Sequence, residues 1–154
     1  MNTEIALMIQ NVLAWLVFYV LIRLFCRVLG ISGNHLVTAN MRLSRLKTKN
    51  TFLINSINGT EKKITPSAQI RRIKGLIFRA KRIQNNLDVF IFDHRENKHV
   101  PMIRSSVADI IQKYKELISE ITEEHTVISV EKFEEIQAVM ENLEERINAE
   151  LSEA

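Results

Sequence analysis

The densest group of side chains that could bind a metal lies between Asp93 and His99, in the sequence DHRENKH. It holds two histidines, His94 and His99, and two carboxylates, those of Asp93 and Glu96. Zinc sites use such ligands, but a helix or hairpin must bring them together at a regular spacing. The two histidines are five residues apart, and Glu96 lies off the spacing of the zinc helix motif. The pattern therefore favours a solvated polar turn, and we predict no metal ligands.

No other group of residues indicates catalysis or cofactor binding. The chain has four glycines, and two of them, Gly30 and Gly33, follow the N-terminal apolar run. The sequence has no Gly-rich phosphate loop, nucleophile elbow or set of kinase motifs. We therefore predict that the protein is not an enzyme and has no catalytic residues, no cofactor and no small-molecule substrate.

A basic amphipathic helix is predicted from Pro66 to Leu87. Proline suits the first helical turn, and apolar residues recur every three or four positions after it. Between them lie six cations, Arg71, Arg72, Lys74, Arg79, Lys81 and Arg82. We expect these six to contact an anionic protein surface or anionic lipid, the alternative being a merely solvated outer face. Nucleic-acid phosphate is less favoured because Phe78 is the helix's one aromatic residue for base stacking.

Charge is divided along the chain. Residues 1–104 hold 17 Lys and Arg against 5 Asp and Glu, a net charge of +12, and residues 105–154 hold 4 against 13, a net charge of −9. Such a division indicates that the basic part faces an anionic partner, or that the two halves face each other. The single cysteine, Cys26, excludes an internal disulfide framework and fits a reducing compartment.

An apolar run from Ile5 to Ile22 predicts one transmembrane helix over about residues 4–30. Its 18 residues would rise roughly 27 Å as a helix, close to the thickness of the bilayer hydrocarbon. A cleaved signal peptide is disfavoured, because no positive charge precedes the run and no Ala-x-Ala follows it.

Polar residues within and after this run predict its contacts and its orientation. Gln10 and Asn11 are amides inside the span, and we expect them to support helix association in the membrane. Arg23 and Arg27 follow the run and are expected to anchor its end at the headgroups. The positive flank predicts a short external N-terminus and a cytoplasmic C-terminal part. A bacterial inner membrane is favoured, with a matrix-facing mitochondrial protein as the alternative.

The rest of the chain is expected to be mainly α, with a small α+β domain as the alternative. Residues 31–65 are interpreted as a basic juxtamembrane segment with a short helix at Leu36–Leu46 and a hairpin at Asn58-Gly59. Residues 66–104 hold the basic helix and a second hairpin, with Pro101 on its edge strand. Residues 105–154 are interpreted as two acidic helices. The first begins at a Ser106 capping box, and the second packs through Phe133, Ile136, Met140, Leu143 and Ile147.

These features predict a membrane-anchored, non-enzymatic protein. The first hypothesis is a single-pass accessory or scaffold subunit that assembles with other proteins, or with itself, at the bilayer. The alternative is a small membrane-active effector that oligomerises through its span to form a pore. The third hypothesis is a membrane tether for nucleic acid.

Overall fold

The computed structural model describes residues 2–28, 34–59 and 64–153. The chain divides into two units, residues 1–33 and residues 34–154. The described residues form five α-helices and no strand, so the protein is mainly α.

The first unit contains one helix, α1, from Asn2 to Val28. Its segment Met8–Phe25 is long and apolar enough to cross a membrane, as judged by length and composition, and none of that segment is buried. Apolar side chains are exposed on every side of this segment, from Met8 and Ile9 to Leu24 and Phe25. The helix therefore has no protein core of its own.

The second unit is a bundle of four helices: α2 (His35–Asn58), α3 (Pro66–Asp93), α4 (His99–Glu124) and α5 (Val130–Glu153). Contacts join α2 to α3, α3 to α4, α4 to α5, and α5 back to α2. Helices α2 and α4 are diagonal to each other, as are α3 and α5. Short connections make consecutive helices antiparallel, so the diagonal helices α3 and α5 run in the same direction.

The core of the bundle comes from apolar residues spaced three or four apart on each helix. On α3 the buried stripe runs from Ile73 to Phe90 and includes Ile83 and Leu87, neither of which is exposed to solvent. Such spacing keeps one side of a helix apolar and removes it from water when four helices pack together. Each fully buried Leu or Ile stabilises the fold by about 1.5–3 kcal/mol.

A buried polar network joins three of the helices inside this core. Asn50 on α2 is fully buried, and its Nδ2 donates to the carbonyl oxygen of Phe133 and to Oε1 of Gln137, both at 3.0 Å. The hydroxyl of Tyr114 on α4 donates to Oδ1 of Asn50 at 2.7 Å. Burial raises the pKa of this phenol above its ordinary value. Because every partner is satisfied, the network fixes how α2, α4 and α5 are aligned.

The predicted hairpin at Asn58-Gly59 is wrong. Helix α2 continues from Leu46 through buried Asn50, Leu53 and Ile54 to Asn58. The predicted short helix, Leu36–Leu46, is therefore only the first half of α2, which runs from His35 to Asn58. The second arm of that hairpin falls partly outside the described residues, which leave out 60–63.

The second hairpin and the Ser106 start are also wrong. The apolar run Val89–Phe92 is the last turn of α3, and Val100–Ile103 is the first turn of α4. Pro101 is tolerated there because first-turn amides lack partners inside the helix. Helix α4 begins at His99, and Oδ1 of Asn97, two residues earlier, accepts from the amides of His99 and Val100. One helix therefore crosses the boundary that the sequence placed between residues 104 and 105.

Candidate protein interaction surfaces

The outer side of α3 combines cations with exposed apolar side chains. The core stripe of α3 leaves the opposite side facing solvent. The exposed residues on that side, called the α3 stripe here, are Arg71, Lys74, Phe78, Lys81, Arg82, Asn85, Val89 and Phe92. Phe78 is 62% exposed and Phe92 is 67% exposed. Exposed phenylalanines among cations are typical of a surface that another molecule covers.

In the part of the bundle that the structure describes, the cations of this stripe have no acidic partner. Among the described residues, none of the six predicted contact cations forms an ion pair. Arg72 lies on the α2 side of the helix, with its guanidinium 5.8 Å from the centre of the Phe52 ring.

Another cation on α2 adds to the positive potential beside the stripe. Arg42 donates through Nη1 to the carbonyl oxygen of Arg82 at 3.1 Å and to Oδ1 of Asn86. Desolvation, and then the charges of Arg82 and Arg45, lower the pKa of Arg42. The α2–α3 side of the bundle is therefore strongly positive.

The outer side of α5 carries the opposite charge. Opposite its buried stripe lie exposed residues spaced three or four apart, called the α5 stripe here: Glu131, Glu134, Ala138, Glu141, Glu145 and Ala149. Within the described chain, Glu134, Glu141 and Glu145 form no ion pair. This surface is acidic, with small apolar residues between the charges.

The fold keeps the two stripes apart. Because α3 and α5 are diagonal, their outer sides point in opposite directions from the bundle. The basic and acidic halves do meet between α2 and α5, where Lys47 and Glu144 form an ion pair at 2.5 Å. A second pair joins Arg104 of α4 to Asp88 of α3 at 2.9 Å. Neither pair involves the α3 stripe or the α5 stripe, so both stripes remain available to other molecules.

The histidine-rich segment forms the corner between α3 and α4. The ring of His94 stacks on Phe90 with centroids 4.1 Å apart, while Nδ1 of His99 lies 3.8 Å from a carboxylate oxygen of Glu150. In the described part of the chain, no group of three or more His, Cys, Asp or Glu is placed to hold a metal ion. The two histidines thus belong to separate structural contacts.

The predicted membrane residues lie on α1. Gln10 and Asn11 are exposed within its apolar segment. The guanidinium of Arg23 lies 5.5 Å from the centre of the Tyr19 ring, one turn earlier. The side chain of Arg27 lies outside the described residues. The roles predicted for these four residues remain predictions.

The residues predicted for helix packing line the core. Phe133, Met140 and Ile147 are fully buried on α5, and Ile136 and Leu143 are nearly so. The spacing pattern did not reveal the polar contacts that accompany them, which join Asn50 to Tyr114 and Gln137. Asn50 falls at a core position of α2, and a polar residue at a core position is the signal that could have revealed the network.

The sequence interpretation also missed the α5 stripe as a surface. It described those residues only as the acidic remainder of a helix, although the spacing of Glu134, Glu141 and Glu145 places them on one side. Comparison with protein-family models, with curated protein sequences and with solved structures finds no significant match to this chain.

Proposed function

We propose that this chain is a single-pass, membrane-anchored scaffold subunit whose bundle holds proteins together at the bilayer. Helix α1 would cross the membrane, and the bundle would lie on the cytoplasmic side because Arg23 and Arg27 follow the apolar run. The observation that carries the proposal is the separation of uncompensated charge onto opposite sides of one bundle. A domain with two such surfaces is suited to binding a partner on each.

Two physical arguments support protein as the partner. Electrostatic complementarity steers association and selects partners, and both stripes offer charge that the fold leaves unpaired. Each stripe also carries apolar atoms, including the ring of Phe78, which lose contact with water when a protein covers them. The buried polar network gives the bundle one fixed arrangement, so it presents these surfaces as a rigid unit.

The first test is purification of the full chain from its host in a mild detergent, with identification and quantification of what accompanies it. The proposal expects protein subunits at a fixed ratio to the chain, further copies of the chain included. Reversing the charge of Arg71, Lys74 and Arg82 should change that composition. The control variant reverses Lys49, Lys113 and Lys115, which changes the total charge equally but leaves the α3 stripe intact. A monomer without partners, before and after reversal, would refute the scaffold function.

A nucleic-acid tether is the second candidate, favoured by the exposed, unpaired cations of α3. Binding through phosphate contacts is sequence-blind and falls steeply with salt. With about four phosphate contacts, affinity should fall roughly 100-fold between 50 and 200 mM salt. A chain reconstituted in nanodiscs that binds duplex DNA with that salt dependence would favour the tether over the scaffold.

A further inference from the structure

The two stripes match each other in spacing and in chemistry. Adding 60 to the number of an α3-stripe residue gives a residue of the α5 stripe in every case except Arg82 and Phe92, which correspond to Asn142 and Ser152. Arg71, Lys74 and Lys81 correspond to Glu131, Glu134 and Glu141, so three of the four cations of the α3 stripe correspond to an acid. The apolar residues correspond to small ones, Phe78 to Ala138 and Val89 to Ala149. Two helices laid side by side in this register would form these three charge pairs, would leave Arg82 and Glu145 opposite the amides of Asn142 and Asn85, and would place the Phe78 ring against the methyl group of Ala138.

This pairing cannot form within one molecule but suits two neighbouring molecules. In a single bundle α3 and α5 are diagonal and their stripes face away from each other. They run in the same direction, however, so α3 of one copy can lie parallel to α5 of the next copy without either being inverted. Copies anchored by the same span all cross the bilayer with the same orientation. Membrane anchoring therefore keeps the spans of neighbouring copies parallel.

The heights of the two stripes within the bundle agree with this register. Arg42 bonds to Asn86, and Asn40 Nδ2 bonds to Oδ1 of Asn148 at 2.7 Å. Arg42 also bonds to the carbonyl oxygen of Arg82, so it lies level with about residue 84 of α3. Because α2 and α5 are antiparallel, the bond between Asn40 and Asn148 places Arg42 level with about residue 146 of α5. Two copies at equal height would therefore be offset by about 62 residues, against the 60 of the matched pattern, and this difference of about 3 Å is less than one helical turn.

We propose that the partner of the α3 stripe is the α5 stripe of a second copy of this chain. The contact joins different surfaces of two identical molecules, so each added copy leaves one α3 stripe and one α5 stripe free. Repetition produces open rows or closed rings of copies. Confinement to one membrane raises the effective concentration of the stripes and favours contacts that are individually weak. This inference rests on the proposed scaffold function and names its partner.

A charge exchange on the full chain tests the pairing. One variant carries Lys74→Glu and Lys81→Glu, and the other carries Glu134→Lys and Glu141→Lys, both in a Cys26→Ser background. Copies are labelled at Ser105→Cys, an exposed position of α4 outside both stripes, and energy transfer between copies is measured in dilute zwitterionic proteoliposomes. We expect each variant alone to lose the transfer. An equimolar mixture should regain it, because the acidic α3 of one variant meets the basic α5 of the other.

The control variant, Lys113→Glu with Lys115→Glu, changes the total charge as much as the first variant and should retain the transfer. Recovery in the mixture shows that the variants are folded, so loss in each alone is then an effect on the contact. If the mixture remains without transfer, or if all variants behave like the original chain, the proposed pairing is wrong.

Crosslinking provides a second, geometric test. Asn85 and Ala149 are exposed on opposite sides of one bundle at nearly the same height, so cysteines at both positions cannot be bridged within one copy. A short bis-maleimide should convert the Asn85→Cys, Ala149→Cys protein, again with Cys26→Ser, into a ladder of dimers, trimers and larger species. Neither single-cysteine protein should form the ladder. A chain without the ladder, or with dimers through Asn85→Cys alone, would overturn the proposal.

If the α3 stripe binds anionic lipid or a different protein instead of a second copy, these experiments give different results. If it lies on anionic lipid, no ladder forms, and a polarity-sensitive dye at Asn85→Cys shifts to shorter wavelength in anionic but not in zwitterionic vesicles. If the partner is a different protein, the isolated chain remains monomeric while purification from the host returns that protein at a fixed ratio. That result overturns the self-pairing and leaves the scaffold function standing. If no ladder forms and purification from the host returns no protein at a fixed ratio, both the self-pairing and the scaffold function are refuted.

Discussion

Helices α1 and α3 are nearly equal in length, with 27 and 28 residues, yet they are built for different surroundings. In α3 the apolar residues occupy one side, where α2 and α4 cover them, and the charged residues occupy the other. In α1 apolar side chains cover every side of Met8–Phe25, and all of them are exposed. The two helices differ in how their apolar residues are distributed around the axis.

That distribution determines which medium stabilises each helix. A helix with one apolar side is stabilised by packing against other helices, which removes that side from water. A helix that is apolar all round and has no protein cover suits a hydrocarbon environment, where each backbone polar group must bond within the helix itself. The same substitution should therefore have different consequences in α1 and in the bundle.

The largest expected effect comes from placing charge in the centre of α1. Leu13→Arg with Leu16→Arg should cost about 5–7 kcal/mol of membrane insertion, because each arginine near the centre of a span costs roughly 2.5–3.5 kcal/mol. The measurement is the fraction of full chain that stays in membranes after alkaline carbonate extraction. The control, Asn85→Arg with Val89→Arg on the exposed side of α3, should leave that fraction unchanged. If the α1 variant remains membrane-embedded, α1 is not the anchor.

A smaller effect is expected from a matched loss of one aromatic ring. Phe133→Ala in the bundle should lower the free energy of unfolding by about 3–5 kcal/mol, because it leaves a cavity in a fully packed core. Phe18→Ala in α1, where the ring is 56% exposed, should leave that quantity unchanged. Urea unfolding of the full chain in mild detergent compares the two variants. Equal losses would mean that α1 packs against the bundle as a core helix.

The buried core residues of α3 and α5 could be predicted from spacing, whereas the full extents of α2 and α4 could not. Spacing alone reveals a helix when its core positions are all apolar, as they are from Phe133 to Ile147. In α2 the core includes Asn50, which breaks the apolar pattern, and Asn58-Gly59 then resembled a hairpin turn. Short apolar runs such as Val89–Phe92 fit a strand as well as a buried helical turn, and Pro101 is compatible with an edge strand as well as with the first turn of a helix.

The candidate surfaces were only partly predictable for a different reason. The six cations of α3 are evident in the sequence, because no acid interrupts them. Whether α5 neutralises them depends on which helices are neighbours, and linear spacing does not contain that information. In the fold α5 contacts α2 and α4 rather than α3, and the ion pair between Lys47 and Glu144 joins α2 to α5. The acids of α5 therefore do not neutralise the cations of α3, and both stripes stay exposed.

The buried polar network tests how much hydrogen bonds inside the core contribute to the stability of the bundle. Tyr114→Phe removes the hydroxyl that donates to Oδ1 of Asn50 and leaves that oxygen without its partner. We expect the free energy of unfolding to fall by about 1–2 kcal/mol at pH 7. Urea unfolding in detergent provides the measurement. No change, or an increase, would show that the network is dispensable for stability.

The same tyrosine should make stability depend on alkaline pH. Burial raises the pKa of Tyr114 in the folded protein, so its stabilising contribution is complete below the unfolded-state pKa, about 10, and declines as the pH rises above it. The advantage of the original chain over Tyr114→Phe should shrink by about 1.4 kcal/mol per pH unit above 10. Unfolding measured for both proteins between pH 8 and 11 tests this. A gap that stays constant or widens contradicts the burial of the phenol.

The smallest expected effect concerns an exposed ion pair between α3 and α4. Arg104→Ala removes the partner of Asp88, and both side chains are more than one-third exposed. We expect a loss of about 0–1 kcal/mol, because exposed pairs are screened by water and salt. Unfolding in low and high salt provides the measurement, and Asp88→Ala is the matched control. A loss as large as that of Phe133→Ala would mean that surface charge, rather than the core, stabilises the bundle.

The contact between α2 and α5 has a consequence for the order of events during synthesis. Asn40 and Asn148, which bond across it, are 108 residues apart in the sequence. A ribosome adding about 5–20 residues per second needs several seconds to pass from one to the other. During that interval α2 lacks one of its two neighbours. The bundle therefore cannot close until the last helix has been synthesised, and closure is a late step of folding.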